Sequence, residues 1–289
     1  VEAGTAGADD ATGINVDEVE IDFAFSFDAV SAEVHLHTNA ADGVELEQAF
    51  VSTDLGGITV SAGRMLNLLG FEADEPTGLL TYSKAYASHG DKANDNYNPG
   101  SRYNDGIRGA FSQGDLSISA SITDNVYASD SGNGDADDVA FDVLVSYSGI
   151  ENLSLAVGYG DEGDDDITAV ISEIINVYAS YSLGQLTIAG EYNDFQNGAA
   201  TAVDGDSYLL LANYAVNDDL SITIRHSEVD IDGGTTSDRE KTTVAAGYTV
   251  TDNLSTIIEY SNGEVDDEDN NVFAVEGIFK IGRASCRER

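Results

Sequence analysis

Tryptophan is absent, proline occurs twice, and methionine and cysteine occur once each. Lys and Arg together number 12 against 53 Asp and Glu, a formal net charge of −41. Each shortage excludes something. So few cations exclude nucleic acid as a partner, because binding it takes clustered Lys and Arg that neutralise phosphates. A single cysteine, Cys286, excludes a disulfide framework and a paired-cysteine metal or redox motif. No apolar run approaches the ~20 residues of a membrane helix, although a span built from strands is untouched by that lack. Scarce aromatics beside heavy acidity can signal disorder. Here 42% of residues are hydrophobic and they recur at regular spacing, which predicts a folded chain.

The two ends read as processed. The chain opens without Met or a signal peptide, as a mature terminus or a cut would. Its last ten residues, KIGRASCRER, read as a translated short-read sequencing adapter with Lys280 from the junction codon. Residues 281–289, Cys286 among them, are therefore expected to be non-biological, leaving a cysteine-free body compatible with an oxidising compartment.

What is present is a repeat. GDLSISAS begins at Gly114, ENLSLAVG at Glu151, GQLTIAGE at Gly184, DDLSITIR at Asp218 and DNLSTIIE at Asp252, spaced by 37, 33, 34 and 34 residues. A looser copy, GGITVSAG, begins at Gly56. A period near 34 suits helical arrays, but the residue period is two: Leu220, Ile222 and Ile224 alternate with Ser221, Thr223 and Arg225. Val19, Ile21, Phe23, Phe25 and Phe27 alternate likewise with polar or small residues. This is strand spacing. Alternating runs begin near residues 18, 30, 44, 57, 102, 115, 138, 152, 171, 185, 206, 219, 240, 253 and 270. Short turns follow the odd-numbered runs and long, mostly acidic loops the even ones. Each repeat is thus a hairpin, and the recurring motif is the exit from its tight turn.

Many hairpins with all tight turns at one end predict an all-β, antiparallel up-and-down barrel, since closure removes both sheet edges. About 16 strands enclose a space too wide for side chains to fill, so the polar face should line water and the apolar face should meet lipid. The expected architecture is a transmembrane β-barrel with short periplasmic turns and long acidic extracellular loops, a single domain over residues 1–280. Parity makes the first run descend, so an ascending strand is expected before Val1, bringing the total from 15 to about 16. Tyr147, Tyr181, Tyr214 and Tyr248 close descending strands, and Tyr159, Tyr192 and Tyr260 close ascending ones. They predict an aromatic girdle at each membrane interface.

Inward positions follow from the alternation. On the first strands they are Glu20, Asp22, Glu33, His35, His37, Glu45 and Glu47. Later ones are Asp142, Asn176, Tyr178, Glu191, Glu259 and Glu276, opposed by Arg108 and Arg225. A ring of one sign selects ions, so the expected pore prefers cations. His35 and His37 sit two apart on one strand and could bind metal only with partners the sequence does not reveal; they read as lumen residues. The runs GDADD, DEGDDD and VDDEDN offer oxygen ligands for calcium or magnesium without the spacing of a known calcium loop, and read as solvated acid. No metal site and no cofactor is expected. No nucleophile elbow or phosphate-cradling glycine loop points to an enzyme.

One connection breaks the pattern, from about Leu66 to Gly100. With its flanks it carries Leu46, Gln48, Ala49 and Phe50, then Gly63 and Arg64, then Gly70, Phe71 and Glu72, then Tyr82 and Ser83. Gly106 and Arg108 follow in YNDGIRGAFS. Over residues 44–112 this resembles the OmpL-like group of outer-membrane beta-barrel porins, which implies an outer-membrane channel. A connection this long with apolar content (MLNLLGF, GLLTY) is expected to fold inward as a constriction. Its candidate residues are Arg64, Glu72, Glu75, Tyr82 and Lys84. Arg64 nevertheless shares parity with outward Ile58, Val60 and Ala62, which puts it at the rim or past a bulge.

The function expected is a porin of the bacterial outer membrane, a passive channel for small hydrophilic solutes with cation preference. Its partners are outer-membrane lipid and lipopolysaccharide and the solutes or cations that pass, with a homotrimer as an open assembly state. Two rivals stand beside it: a secreted acidic β-sandwich surface or adhesion protein, and a structural outer-membrane barrel with a plugged lumen.

Overall fold

The computed structural model describes residues 2–6, 9–38, 43–87, 97–127, 139–163, 171–196, 204–232, 238–265 and 268–282. GDADD and the segment 283–289 lie outside them, as do parts of DEGDDD and VDDEDN. Among the described residues, seventeen strands form one antiparallel sheet. Two short ones open it, β1 (Glu2–Ala6) and β2 (Asp9–Gly13). The early hairpins are β3 (Val19–Ser26) with β4 (Ser31–Thr38) and β5 (Glu45–Asp54) with β6 (Ile58–Leu66). Beyond the long connection come β7 (Tyr103–Gln113), β8 (Leu116–Thr123), β9 (Ala140–Ile150), β10 (Leu153–Asp161), β11 (Glu173–Leu183) and β12 (Leu186–Gln196). The last five are β13 (Asp204–Ala215), β14 (Leu220–Ile231), β15 (Arg239–Thr251), β16 (Leu254–Val265) and β17 (Glu268–Phe279). β3 to β17 begin within two residues of the fifteen expected starts.

Each strand from β3 to β17 pairs with its sequence neighbours, so the meander is unbroken. β17 then pairs antiparallel with β1, Glu2 opposite Ala274, and β1 with β2. β3 to β17 are the fifteen strands expected, and β1 and β2 are two short strands that alternation had not marked.

Three hairpins with two-residue turns use a left-handed residue there: Gly114 and Gly184 at φ 60° and 61°, and Asn152 at 62°. The repeated motif therefore has a conformational cause. Its leucine has a packing role as well: Leu116, Leu153, Leu186 and Leu220 stand opposite Tyr147, Tyr181, Tyr214 and Tyr248 on the neighbouring strand. Leu–Tyr pairs at one end of four successive hairpins fix register, because a one-residue slip would turn every side chain to the other face.

The two faces are inverted relative to a soluble protein. Along β14, Ile224 is 53% exposed while its neighbour Arg225 is fully buried. Along β12, Ile188 and Tyr192 are exposed while Glu191 and Asn193 are buried. Phe23 and Ile118 are exposed too, and Ile222 stands beside Ile224 on the outer face. An apolar belt of this extent needs an apolar solvent. The sandwich rival, which would bury these side chains together, does not describe this chain.

The interior is not wholly wet. Leu69, Tyr86 and Tyr97 of the segment between β6 and β7 pack on Ile174, Phe195 and Leu209 of the inner wall. β10 makes room for this: a Cβ on Gly158 would stand 2.2 Å from Leu69 Cδ2. The core of the molecule is thus loop against wall.

Candidate functional site

Between β6 and β7 the described residues 67–87 and 97–102 lie inside the sheet's curve. An irregular segment there needs partners for its backbone, since buried N–H and C=O groups are costly when unmet. The inner wall provides them. Leu68 N–H donates to Asp142 Oδ2 on β9 at 2.8 Å, and Gly70 N–H to Asn176 Oδ1 on β11 at 3.2 Å. On β12, Glu191 accepts from Phe71 N–H at 2.7 Å and from the Tyr86 hydroxyl at 2.8 Å. On β16, Glu259 accepts from Tyr82 N–H at 2.6 Å, Ser83 N–H at 3.2 Å and the Ser83 hydroxyl at 2.6 Å.

Cations supply the opposite polarity. Arg225 on β14 donates through Nη1 to Glu72 Oε1 at 2.5 Å, to Thr81 Oγ1 at 2.7 Å and to Ser83 O at 2.7 Å. Lys241 on β15 donates to the carbonyls of Lys84 and Ala87. Strands β9, β11, β12, β14, β15 and β16 therefore all grip one loop, which requires the sheet to wrap round it. Within the loop, Lys84 Nζ lies 2.6 Å from Asp74 Oδ1 and 2.7 Å from Ser101 Oγ. Burial pushes the Asp74 carboxyl up, but the Lys84 ammonium and hydrogen bonds from Lys84, Ser101 and Tyr103 outweigh it and hold it below the ordinary range.

The expected inward residues fall into two groups. Asp142, Asn176, Glu191, Arg225 and Glu259 are buried under the loop as its anchors. Tyr178 stacks its ring on Phe71 at 5.9 Å, Arg108 holds the Leu66 carbonyl at 2.5 Å, and Glu276 is inward and buried. The second group occupies β3 to β5. Here His35 approaches Glu20, Asp22 and Glu33, and His37 Nδ1 lies 3.3 Å from Glu47 Oε1. Glu45, opposite His37, is exposed. Among the described residues, histidine is the basic neighbour of Glu20, Asp22, Glu33 and Glu47.

Of the expected constriction residues, Glu72, Glu75, Tyr82 and Lys84 lie in the loop. Arg64 does not, and its grouping with them is corrected. It belongs to β6, opposite Ala49 on one side and Asp105 on the other, with Nη1 3.7 Å from Asp105 Oδ1. That is the outward face, as its parity required. Lys241, Asp74 and Tyr103 were missed. Lys241 was findable, since it shares the parity of inward Thr243 and Ala245; Asp74, whose Oδ2 accepts from the Tyr103 hydroxyl, carries no local signal. The seven girdle tyrosines all stand on the outer face, Tyr159 half-buried with its hydroxyl on Asp161 and the rest exposed.

This geometry meets three solved structures. OmpT, an outer membrane protein of Vibrio cholerae in its trimer form, superposes with a TM-score of 0.61 at 12% identity, over 96% of this chain and 96% of its own. The anion-selective porin from Comamonas acidovorans gives a TM-score of 0.65 at 13% identity, over 96% and 95%. The outer membrane channel DcaP of Acinetobacter baumannii gives 0.62 at 10% identity, over 91% and 85%. Such identities speak for the fold alone. No curated protein matches the chain in sequence. The sequence profile of the Gram-negative porins matches residues 1–268. An all-strand meander with an apolar outside, a polar inside and that match has one family and one place: the chain belongs to the Gram-negative porins, of the bacterial outer membrane.

Proposed function

We propose that this porin is a passive diffusion channel for small hydrophilic solutes that prefers cations, with the described part of the loop between β6 and β7 (67–87 and 97–102) narrowing its bore. One observation carries the reading, an imbalance of free charge. The inward cations Arg225 and Lys241 are occupied in holding the loop, and Lys84 in holding Asp74. The carboxylates of β3 to β5 have no Lys or Arg among their described ion partners and face the same interior. Water that passes the loop therefore meets acidic side chains that no Lys or Arg pairs, a lining that favours cations. In this reading the outer tyrosines form the two interfacial girdles, and the barrel assembles as a homotrimer.

Reversal potentials across a salt gradient in planar bilayers test the preference. Potassium over chloride is the expected order, and chloride over potassium overturns it. A second reading is favoured by the depth of the loop's burial, with Thr81, Ser83 and Ala85 at most 1% exposed. A loop seated so firmly would suit a plug in a structural barrel. Absence of any conductance from folded protein would select that reading.

A further inference from the structure

The inner wall at β3 and β4, whose carboxylates the channel reading takes as free charge, holds a tighter arrangement around His35. His35 Nδ1 lies 3.5 Å from Glu20 Oε1 and 3.3 Å from Asp22 Oδ1. The ligand atoms of Glu20, Asp22 and His35 all lie within 4.8 Å of one another. Zn–N and Zn–O bonds run about 2.0–2.2 Å, and a regular tetrahedron with such bonds has edges of about 3.3–3.6 Å. The two contacts at Nδ1 already match those edges.

The hydrogen bonds fix which nitrogen is available. Leu66 N–H donates to Gln48 Oε1 at 3.0 Å, which orients that amide so that its NH2 points at His35 Nδ1, 3.2 Å away. Nδ1 is therefore the acceptor, and Nε2 carries the proton that reaches Glu33 Oε2 at 3.1 Å. A carboxylate on the far imidazole N–H is the outer support that metal-binding histidines have. It leaves a lone pair at Nδ1 facing two carboxyl groups, three ligand atoms converging on one point. Glu20 Oε1 is buried and has no hydrogen-bond donor among the described residues. Such a group is costly unless it takes up a proton or a cation stands at its centre.

We propose that Glu20, Asp22 and His35 form a site for a borderline divalent cation of the zinc type, oriented from behind by Glu33. Imidazole with two carboxylates suits such an ion better than magnesium or calcium, which take oxygen. The fourth position faces the loop, where Glu75 comes within 4.8 Å of the ligand atoms of Glu20 and Glu18. An ion seated there ties Glu75 of the loop to the wall at β3. Metal entry displaces the Gln48 amide from Nδ1.

The test uses the full chain, folded in detergent, and does not require that it conduct. Calorimetric titration with Zn2+, in excess Mg2+ to occupy oxygen-only acidic sites, should give one Zn2+ per chain. Asp22→Asn and His35→Gln should weaken it at least about 10-fold, and Glu33→Gln by about 10–100-fold. His226→Gln, on the outer face, should leave it unchanged. Heat-modifiable gel mobility verifies that each variant is folded. No Zn2+ uptake by the parent chain, or uptake unaltered in folded Asp22→Asn and His35→Gln, overturns the proposal. A channel that conducts without binding Zn2+ sinks this site alone, and a barrel that binds Zn2+ without conducting sinks only the channel.

Discussion

Arg225 and Glu72 are 153 residues apart in the chain, yet Nη1 of one meets Oε1 of the other at 2.5 Å with the arginine fully buried. The pair joins β14 to the loop between β6 and β7, so the loop is held by its far wall as well as by the hydrogen bonds of Asn67 with Arg102 and Pro99 at its base. Removing one partner of a buried pair typically costs about 3–5 kcal/mol, because the other is left charged and unmet. Arg225→Met should unseat the loop by that order while the strands remain paired. Hydrogen exchange of the loop amides measures it, and the double variant with Glu72→Gln should recover much of the loss.

Glu259 accepts three hydrogen bonds from Tyr82 and Ser83. Glu259→Gln removes the charge and leaves a single good acceptor. Loss of charge-assisted bonds of this kind is worth about 1–3 kcal/mol. The amides of Tyr82 and Ser83 should therefore exchange roughly 5–150-fold faster, with those of β16 unchanged.

Acid should loosen the loop through Asp74. Its carboxyl titrates below the ordinary value of 3.8, so the folded state binds fewer protons than the unfolded one. The stabilisation from Lys84 is complete above the ordinary value and disappears as pH falls through the lowered one. Protease sensitivity of the loop should be flat near neutrality and rise only in strong acid. In Asp74→Asn that step should be absent and sensitivity higher at neutral pH.

The outer face should obey the membrane. Val145 lies on β9 between Ile118 and Val157, in the middle of the apolar belt. Val145→Arg should destabilise the barrel by about 2–4 kcal/mol in lipid vesicles, measured by denaturant titration. Val139→Arg, just outside β9, should cost about 0–1 kcal/mol.

The strands were legible because alternation is local: Leu220, Ile222 and Ile224 announce their face within five residues. Glu191 shows where legibility stops. Its inward direction followed from parity, but its partners Phe71 and Tyr86 lie 120 and 105 residues away. The sequence therefore presented an acid facing the interior and could not say whether water or a loop would meet it. β5 shows a second limit. A bulge between His35 and Leu36 sets Gln48 opposite His35 and Leu46 opposite Leu36, leaving Glu47 as the extra residue. Simple alternation steps over such a residue and turns Gln48 outward, which hid the amide that fixes the His35 tautomer. β1 and β2 were illegible for want of pattern, since Glu-Ala-Gly-Thr-Ala has no alternating apolar side.

Every strand that anchors the loop follows it in the chain. The loop cannot reach its seat until β9, β11, β12, β14, β15 and β16 have come together around it, so its placement is a late event of folding, built on contacts distant in sequence.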